Sequence, residues 1–523
     1  MKGKTWSILE ILKEILVVEE YDRLEEFLKK PLPMTIRLNN LRVKEEHFEN
    51  QLNSRGIKFE KNPFLETAYK ILSIPDDQRN WFMRLRLIGI YYIQNWSSMI
   101  PPLTIDIPKT NEELENFKLI DLASSPGSKT TQMSGLMKNL GLILANDYSK
   151  KNHRLYVLSR NLKLMGCLNV ITSSHDGRKI GKRWPEYFDA ALADVPCTGT
   201  GVKRMQSIPD RQSDDLQRIS KRQKQILGSA IENVKPGSNI IYSTCSYLPQ
   251  ENEMVIQHFI DKGLVEVEPI KIEHLNTHPG LLEWNGLSFS KNMRHCIRIY
   301  PFDFDSVGFF VSKLKKLGET KNESTKGEER GYFIHRNEVN WKILEEEGNN
   351  ILWKEIETKY QVNTNIYRKY YGFVKNKKQR IWMSTNSSLE FLKHTSWHPP
   401  QRISCSIGQI EGRKRNELRL TVDGAAIFGR HTAKNKIFFR EEQLKKWFAG
   451  ENIDLDEIED NNDVLKENIY HLIEGLEDEF VVGCSKLIDN QLMNFLPKFR
   501  RYPPPGISKK KDEFEEEINL ENA

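Results

Sequence analysis

Hydrophobic positions follow two different periods in the middle of the chain, and the alternation between them predicts the core fold. Short apolar runs are separated by longer stretches whose apolar positions recur every three or four residues. The apolar runs predict strands at 118–122, 142–145, 169–172, 188–193 and 239–242. The stretches between and after them predict helices at 129–139, 150–164, 212–233 and 251–262. Strands that alternate with helices predict an α/β fold with a doubly wound parallel sheet. Segments near 296–300 and 308–314 are expected to add an antiparallel edge.

The regions on either side of this core have mixed patterns that are typical of α+β domains. Before the core, the pattern predicts a helix at 5–30, a strand at 35–38 and a helix near 44–55. After the core, it predicts strands at 418–422, 425–428 and 436–439, then helices from residue 440 and near 464–478. Two flanking α+β domains are therefore expected.

Shifts in composition set the expected domain boundaries. The run 313–330 is almost entirely polar, so it predicts an interdomain linker. Three consecutive prolines at 503–505 and the like-charged runs after them predict a disordered tail. The expected division is 1–105, an amino-terminal α+β domain; 106–315, the doubly wound core; 316–395, a linker and small connecting region; 396–500, a second α+β domain; and 501–523, the tail.

Overall composition excludes some classes of protein and leaves others open. A chain of 523 residues is too long for a single small binding module. Lys and Arg total 78 against 72 Asp and Glu, and this mild basic surplus permits an RNA partner without requiring one. No run approaches the roughly 20 apolar residues of a membrane span. We therefore expect a soluble, cytoplasmic protein with no membrane partner.

The six cysteines are spaced too widely for a metal site or a disulfide framework. They occur at positions 167, 197, 245, 296, 405 and 484, with no Cys-x-x-Cys pair and no His/Cys cluster at metal-ligand spacing. We therefore expect no bound metal.

A loop of small residues follows the first predicted core strand. In a doubly wound sheet, the first strand-to-helix turn is where backbone N–H groups hold a nucleotide-like cofactor. The loop lacks both the three glycines of a dinucleotide fingerprint and the Gly-Lys-Thr of a phosphate-binding loop, so it predicts neither NAD nor ATP. Its candidate binding residues are Ala123, Ser124, Ser125, Pro126, Gly127, Ser128 and Lys129.

Acidic residues follow the next three predicted strands. Asp147, Asp176 and Asp194 each come at or just after a strand end, so all three are expected at one edge of the sheet. A single acid at such a position is commonly a helix cap or turn residue. Several at successive strand ends predict a ligand site, in which Asp147 accepts hydrogen bonds from ribose hydroxyls and Asp176 accepts from an adenine amino group.

Two cysteines lie just beyond neighbouring predicted strands. Cys197 follows Asp194-Val195-Pro196, and Cys245 lies in Ser243-Thr244-Cys245-Ser246. A lone cysteine is usually a small buried hydrophobic residue, but two at one sheet edge point to a nucleophile. A thiolate needs positive charge nearby, and Lys129, Lys203 and Arg204 are the candidates.

These motifs together resemble the Sun-type family of RNA cytosine-carbon-five methyltransferases. The resemblance covers roughly 90–315 and rests on the cofactor loop, the two cysteine motifs and Val307-Gly308-Phe309-Phe310-Val311. Within the family, segments 30–39, 92–99 and 174–178 are similar to the bacterial ribosomal RNA small subunit methyltransferase F group. Segments 483–486 and 494–497 are similar to the end of that group's PUA-like RNA-binding domain, which would make 396–500 such a domain.

The resemblance implies a cofactor and a role for each site residue. S-adenosylmethionine would bind at the cofactor loop, Asp147, Asp176 and Asp194. Cys245 would attack carbon six of cytosine, Asp194 would bind the N3 and amino edge of the base, and Cys197 would assist release of the product. Spacing alone does not choose between the cysteines, because DNA cytosine methyltransferases use the cysteine of the Pro-Cys motif.

The resemblance also implies RNA as the partner, with ribosomal RNA of the small subunit or its precursor as the expected substrate and no DNA. A base attacked on its edge must leave its stack or be single-stranded. Two alternatives remain open from the sequence: a transfer RNA cytosine methyltransferase of the same fold, and a catalytically idle RNA-binding factor in ribosome assembly.

Overall fold

The chain folds around one large sheet, with smaller sheets before and after it. The structure is a computed structural model. It describes residues 5–148, 153–202, 211–319, 341–394, 402–403, 405–411, 417–432, 434–458, 470–475 and 480–502. Within these residues, the sheets have ten strands in the core, four in the amino-terminal region, five in each of two carboxyl-terminal regions, and two small pairs.

The core sheet has ten strands, of which five are parallel. The strands in chain order are β1 Lys118–Asp121, β2 Leu142–Asn146, β3 Val170–Ser173, β4 Phe188–Asp194, β5 Val234–Thr244, β6 Val265–Glu268, β7 His278–Pro279, β8 Ile297–Ile299, β9 Phe309–Lys316 and β10 Arg402–Ile403. Their spatial order is β7-β8-β9-β5-β4-β1-β2-β3-β10, and β6 also pairs with β9. The neighbours from β5 to β3 are parallel, and the others are antiparallel. The predicted doubly wound α/β core and its antiparallel edge are confirmed.

Alternating side chains of the parallel strands pack on opposite faces of the sheet. In β1, Leu119 belongs to one buried cluster and Ile120 to the other, and in β4 Ala190 and Ala191 divide in the same way. Both faces are covered, which is why these strands are continuous apolar runs in the sequence. The helices that follow β1, β2, β4 and β5 are α1 Ser128–Leu136, α2 His153–Met165, α3 Ser213–Asn233 and α4 Glu253–Ile260. All four lie close to their predicted bounds.

The amino-terminal region combines a four-stranded sheet with several helices. The predicted helix over 5–30 is two helices, because the chain becomes extended at Leu16 and Val17. Its sheet has the order Lys58–Lys61, Ala68–Ser73, Met34–Leu38, Tyr91–Ile93. The helices are Ile8–Ile15, Val18–Phe27, Glu45–Ser54, Arg79–Leu87 and Trp96–Leu103, and a further helix, Asn111–Asn116, leads into β1 of the core. The short strand Thr5–Trp6 pairs with Arg211–Gln212, and Glu283–Trp284 pairs with Leu287–Ser288.

A five-stranded sheet lies between the core and the last region. Its order is Trp341–Ile343, Tyr371–Asn376, Arg380–Thr385, Ser406–Glu411, Glu417–Leu420, and its helices are Glu346–Tyr360, Asn365–Arg368 and Asn386–His394. The expected boundary at 396 falls inside this sheet, because strands on both sides of it pair. Three side chains bind backbone carbonyls of the core: Ser384, Thr385 and Ser387. We propose that 341–420 forms one unit docked on the core.

The segment predicted as a strand at 425–428 is part of the helix Val422–Phe428, so that prediction is wrong. Thr421 caps the helix, because its hydroxyl accepts a hydrogen bond from the Gly424 N–H at 3.1 Å. Gly424 also lies against the carbonyl of Ile407, where a Cβ would meet the oxygen at 2.0 Å. The helix therefore packs too closely on the sheet for a larger residue at this position.

The last region is an α+β unit that packs on the amino-terminal one. Its strands are Lys436–Phe439, Tyr470–Gly475, Val481–Ile488, Gln491–Leu492 and Ile453–Asp454, and its helix is Glu441–Ala449. The part of the predicted helix 464–478 that the structure describes, 470–475, is a strand instead, because two flanking strands pair with it on both edges. Arg84 forms two hydrogen bonds to Glu441, at 2.9 and 3.0 Å, across the junction.

Two further expectations fall mostly outside the described residues. Of the predicted linker 313–330, residues 313–316 belong to β9, where Leu314 and Lys316 are buried; residues 320–330 are not described. The tail is described only at 501–502. No helix in the described ranges is both long and apolar enough to cross a bilayer.

Candidate active site

The sequence-predicted residues come together at the carboxyl edge of the parallel strands. Asp121 ends β1, Asn146 ends β2, Asp194 ends β4 and Thr244 ends β5. The parallel register aligns these ends, since Asp121 pairs with Leu192 and Ser243 pairs with Asp194. The edge carries the cofactor loop on one side and both cysteines on the other.

The cofactor loop is fixed by hydrogen bonds to the neighbouring strand. The Ser124 N–H donates to the carbonyl of Asn146 at 2.9 Å, and the Ser125 N–H donates to Oδ2 of Asp147 at 3.0 Å. Gly127 is the residue immediately before α1 and has a φ of 107°, in the left-handed region that favours glycine. The N-terminus of α1 therefore follows directly on the loop at the carboxyl end of β1.

Asn146 is a residue of this edge that the sequence analysis missed. Its Nδ2 donates to the carbonyl of Leu122 at 3.2 Å, and its Oδ1 accepts from the N–H of His175 at 2.8 Å. It therefore links the loop after β1 to the loop that carries Asp176. A buried amide at a strand end is the only signal that the sequence contained.

Asp147 and Asp176 each form an ion pair with an arginine a few residues later in the chain. Arg154 contacts Asp147 with its Nε 3.0 Å from Oδ1, and Arg178 contacts Asp176 at 2.6 Å. Burial raises the pKa of Asp147 although Arg154 opposes the shift, while the hydrogen bond from Arg178 lowers the pKa of Asp176. Both partners of the Arg178–Asp176 pair are partly exposed, so this pair is worth only about 0–1 kcal/mol, whereas the carboxylate of Asp147 is buried. A ligand with an amino group could replace Arg178 at small cost.

Asp194 is held by a lysine and a hydroxyl. Lys129 Nζ lies 2.7 Å from its Oδ2, and Ser243 Oγ donates to its Oδ1 at 2.7 Å. Lys129 also donates to Ser98 Oγ at 3.0 Å, a contact that the sequence analysis missed because it joins the amino-terminal region to the core. Lys129 therefore orients Asp194 and is not placed as a partner of the cysteines. The other two candidate cations, Lys203 and Arg204, lie outside the described residues.

Asp121 is buried beneath the cofactor loop and behaves as a weak acid. Its Oδ2 accepts a hydrogen bond from Thr130 Oγ1 at 2.7 Å. Burial, with a smaller contribution from the charge of Asp194, raises its pKa to about 7. An acid with a raised pKa binds its proton more tightly in the folded chain than in the unfolded chain.

We expect the stability of the wild type to fall as pH rises from about 4 to about 7 because of Asp121. In that window the folded state holds a proton that the unfolded state releases, so each pH unit removes up to about 1.4 kcal/mol from the free energy of unfolding. Asp121→Asn should flatten this slope when urea unfolding is compared at pH 5, 6 and 7. Thr130→Val removes the hydrogen bond but keeps the titrating group, so it should retain the slope. Equal slopes for wild type and Asp121→Asn would contradict the assignment.

The two cysteine sulfurs are in contact. Cys197 Sγ lies 2.9 Å from Cys245 Sγ, and both residues are half-buried free thiols. The hydrogen bond to Cys245 and burial raise the pKa of Cys197 well above its ordinary value. Either sulfur can donate in this contact, so the geometry of the pair, like the spacing, does not by itself choose the nucleophile.

No metal site accompanies the cysteines. Across the part of the chain that the structure describes, His, Cys, Asp and Glu nowhere form a group of three or more suited to hold a metal ion.

Comparison with known proteins places this site in a family. Residues 108–315 match the family model described as 16S rRNA methyltransferase RsmB/F. A solved structure, a methyltransferase homolog protein from Pyrococcus horikoshii, is 34% identical and covers 58% of this chain and 92% of its own, with a TM-score of 0.50. The chain belongs to the RsmB/F methyltransferase family. The resemblance expected from the motifs is confirmed.

Curated RsmB/F relatives extend the likeness beyond the core. Ribosomal RNA small subunit methyltransferase F of Shewanella denitrificans is 34% identical over 56% of this chain and 57% of its own length. The protein of the same name from Vibrio campbellii is 27% identical over 91% of this chain and 93% of its own length. The chain thus spans less than two thirds of the first of these relatives, and at lower identity it spans nearly all of the second.

Proposed function

We propose that this protein transfers a methyl group from S-adenosylmethionine to carbon five of a cytosine in small-subunit ribosomal RNA. The observation that carries the proposal is the pair of thiols 2.9 Å apart, at the sheet edge that also holds Asp194 and the cofactor loop. Carbon five of cytosine is a poor nucleophile, and addition of a thiolate at carbon six supplies the missing electron density. Two adjacent cysteines can supply one thiol for this addition and a second to assist its reversal.

The side chains at the carboxyl edge have hydrogen-bonding groups that complement S-adenosylmethionine. A carboxylate accepts hydrogen bonds, so Asp147 can bind the ribose hydroxyls and Asp176 can bind the adenine amino group. The cofactor loop, 123–129, presents small side chains and a helix N-terminus beside them. When bound there, S-adenosylmethionine supplies an electrophilic methyl group.

The chain's own residues add to the cytosine ring, bind its edge and assist release of the product. Cys245 adds to carbon six, and the electron pair of the ring double bond moves to carbon five, which takes the methyl group. Asp194 binds the N3 and amino edge and offsets the charge that develops there. Carbon five then loses its proton to a base, the bond between Cys245 and carbon six breaks, and the aromatic ring returns. Cys197 lies in contact with Cys245 and assists this release.

The substrate proposal rests on the relatives named for ribosomal RNA of the small subunit. Within 396–500, the part beyond the unit over 341–420 would contribute a PUA-like surface for RNA phosphates, and the protein would act in the cytoplasm. A transfer RNA substrate is the alternative with the same chemistry. Bisulfite sequencing of RNA from cells with and without the gene tests this: one protected cytosine in small-subunit RNA should disappear. Loss of a site in transfer RNA alone would favour the alternative, and no lost site would favour an idle assembly factor.

We expect Asp147→Ala and Asp176→Ala each to weaken binding of S-adenosylmethionine by roughly tenfold. Each variant loses a charge-assisted hydrogen bond to the cofactor, worth about 1.5–3 kcal/mol. Isothermal titration calorimetry with the purified protein measures the affinity. Asp189→Asn removes a carboxylate near the opposite, amino end of β4 and should bind as wild type does. If both alanine variants also bind like wild type, the cofactor site lies elsewhere.

A further inference from the structure

Glu251 is a fully buried carboxylate beside the two cysteine segments. It lies just before α4, with none of its surface exposed. Its Oε1 accepts hydrogen bonds from Thr198 Oγ1 at 2.5 Å and Ser246 Oγ at 2.6 Å. Its Oε2 accepts from the Thr198 N–H and from Gln223 Nε2, each at 2.9 Å. Four donors from three separate segments therefore converge on one carboxylate.

The donors are the immediate neighbours of the catalytic cysteines. Thr198 follows Cys197, and Ser246 follows Cys245. Gln223 of α3 also donates to the carbonyl of Pro196 at 3.2 Å, on the other side of Cys197. The carboxylate of Glu251 thus joins the loop after β4 to the loop after β5, although the two loops are far apart in the sequence.

Other contacts also cross between these loops. Besides the contact of the two sulfurs, Thr198 Oγ1 and Thr200 Oγ1 each lie 3.2 Å from Ser246 Oγ. The Gly201 N–H donates to the carbonyl of Cys245 at 2.9 Å, and the Tyr247 N–H donates to Thr200 Oγ1 at 3.0 Å. The last two bonds hold the backbone, whereas Glu251 is bound next to both cysteines at once. A buried group with several satisfied hydrogen bonds has one low-energy position, because any displacement leaves polar atoms without partners.

We propose that Glu251 is the positioning residue that holds Cys197 and Cys245 in contact and assigns them their separate roles. The inference rests on the proposed function, in which the two thiols act at opposite ends of one reaction. Glu251 does not touch the sulfurs through any contact described above, so it acts through Thr198 and Ser246.

The electrostatics of the site agree with the geometry. The groups that raise the pKa of Cys197 are Cys245, through a hydrogen bond and its charge, and the carboxylate of Glu251; the N–H of Gly199 opposes them. No ion pair to Glu251 occurs among the described residues, so only hydrogen bonds oppose its charge. Neutralising Glu251 should therefore make Cys197 easier to deprotonate.

The test is the pH profile of alkylation of each cysteine in Glu251→Gln. Iodoacetamide reacts with the thiolate, and mass spectrometry of the peptides that contain Cys197 and Cys245 reports each rate separately. We expect the midpoint for Cys197 to move to lower pH in Glu251→Gln. Glu268→Gln is the control. The carboxylate of Glu268 accepts a hydrogen bond from Asn239 Nδ2 at 2.8 Å and lies away from the cysteines, so this variant should leave both profiles unchanged. An unchanged Cys197 midpoint in a folded Glu251→Gln protein would overturn the proposal.

A second readout measures the proposed positioning during the reaction. RNA that contains 5-fluorocytosine holds the covalent adduct, because fluorine cannot leave as the carbon-five proton does. We expect Glu251→Gln to form this adduct at least tenfold more slowly, with unchanged affinity for S-adenosylmethionine. The variant could instead lose cofactor affinity and thermal stability together, with the midpoint of the Cys197 alkylation profile unchanged. That result would assign Glu251 a purely structural role and overturn the proposal.

Two further variants cover the case in which Glu251→Gln does not fold. Thr198→Val and Ser246→Ala together remove both hydroxyl donors to Oε1 but keep the carboxylate and the Thr198 N–H. The pair should slow adduct formation at least tenfold while cofactor affinity is retained; wild-type adduct rates would overturn the proposal. The alkylation profile uses neither RNA nor cofactor. It therefore tests Glu251 even if no RNA is methylated, a result that would contradict only the proposed function.

Discussion

Cys245→Ala should form no covalent complex with RNA, whereas Cys197→Ala should form one and retain it. Both variants should lose turnover by roughly a thousandfold or more, because each lacks a group that acts directly on the reacting base. The difference appears in denaturing electrophoresis with substrate RNA and S-adenosylmethionine. Cys197→Ala should give a slowly migrating protein–RNA band, since its Cys245 still adds to carbon six but is not released.

Three outcomes of this experiment are distinct. The double variant should give no band, because the adduct of Cys197→Ala needs Cys245. A band from Cys245→Ala alone would show that the roles are reversed, as in the DNA enzymes that use the Pro-Cys cysteine. Absence of a band from either variant, with turnover and stability lost together, would mean that the thiols only pack beside the sheet. Cys405→Ala is the matched control, because this buried cysteine lies in the unit over 341–420, outside the carboxyl edge, and should retain turnover.

The parallel core could be predicted from the sequence because its strands are covered on both faces. Residues such as Leu119 and Ile120 enter different buried clusters, and this makes each strand a continuous apolar run with clear ends. The site could be predicted for the same reason. Parallel strands bring their carboxyl ends to one edge, so Asp194, Cys197 and Cys245 are neighbours once the strand order is known.

The elements that the sequence did not reveal depend on contacts between distant segments. Residues 470–475 form a strand because two other strands flank it, and their pairing overrides the helical pattern. The sheet over 341–420 joins strands across the expected boundary at 396. The local sequence places Glu251 only at the start of a predicted helix, since nothing in it indicates that Thr198, 53 positions earlier, donates to this carboxylate.

Arg298→Met should lower the free energy of unfolding by about 3–5 kcal/mol, the largest stability effect that we expect from one substitution here. Arg298 and Glu253 form a buried ion pair whose side chains are 3% and 0% exposed. Arg298 Nε and Nη2 donate to the two carboxylate oxygens at 2.7 and 2.6 Å. Without the guanidinium, Glu253 is left charged and uncompensated in the interior, and its desolvation is no longer offset.

Urea unfolding of the purified variants measures the loss in free energy of unfolding, and a solvent-exposed ion pair serves as the control. Lys315→Met breaks a 3.8 Å pair with Glu266 in which both side chains are about 40% or more exposed, so it should cost no more than about 1 kcal/mol. Glu253→Gln combined with Arg298→Met should recover part of the loss, because the uncompensated charge is gone. If Arg298→Met costs no more than Lys315→Met, the pair contributes nothing beyond a surface contact.

The same substitution connects stability to the site. Arg298 Nη1 donates to the carbonyl of Tyr247 at 2.9 Å, two residues after Cys245, so the ion pair holds the loop that carries the nucleophile. We therefore expect Arg298→Met to slow adduct formation even at temperatures where the protein remains folded. The double variant with Glu253→Gln should regain stability without regaining the adduct rate, since it still lacks the donor to Tyr247. Recovery of both together would mean that the ion pair influences Cys245 only through global stability.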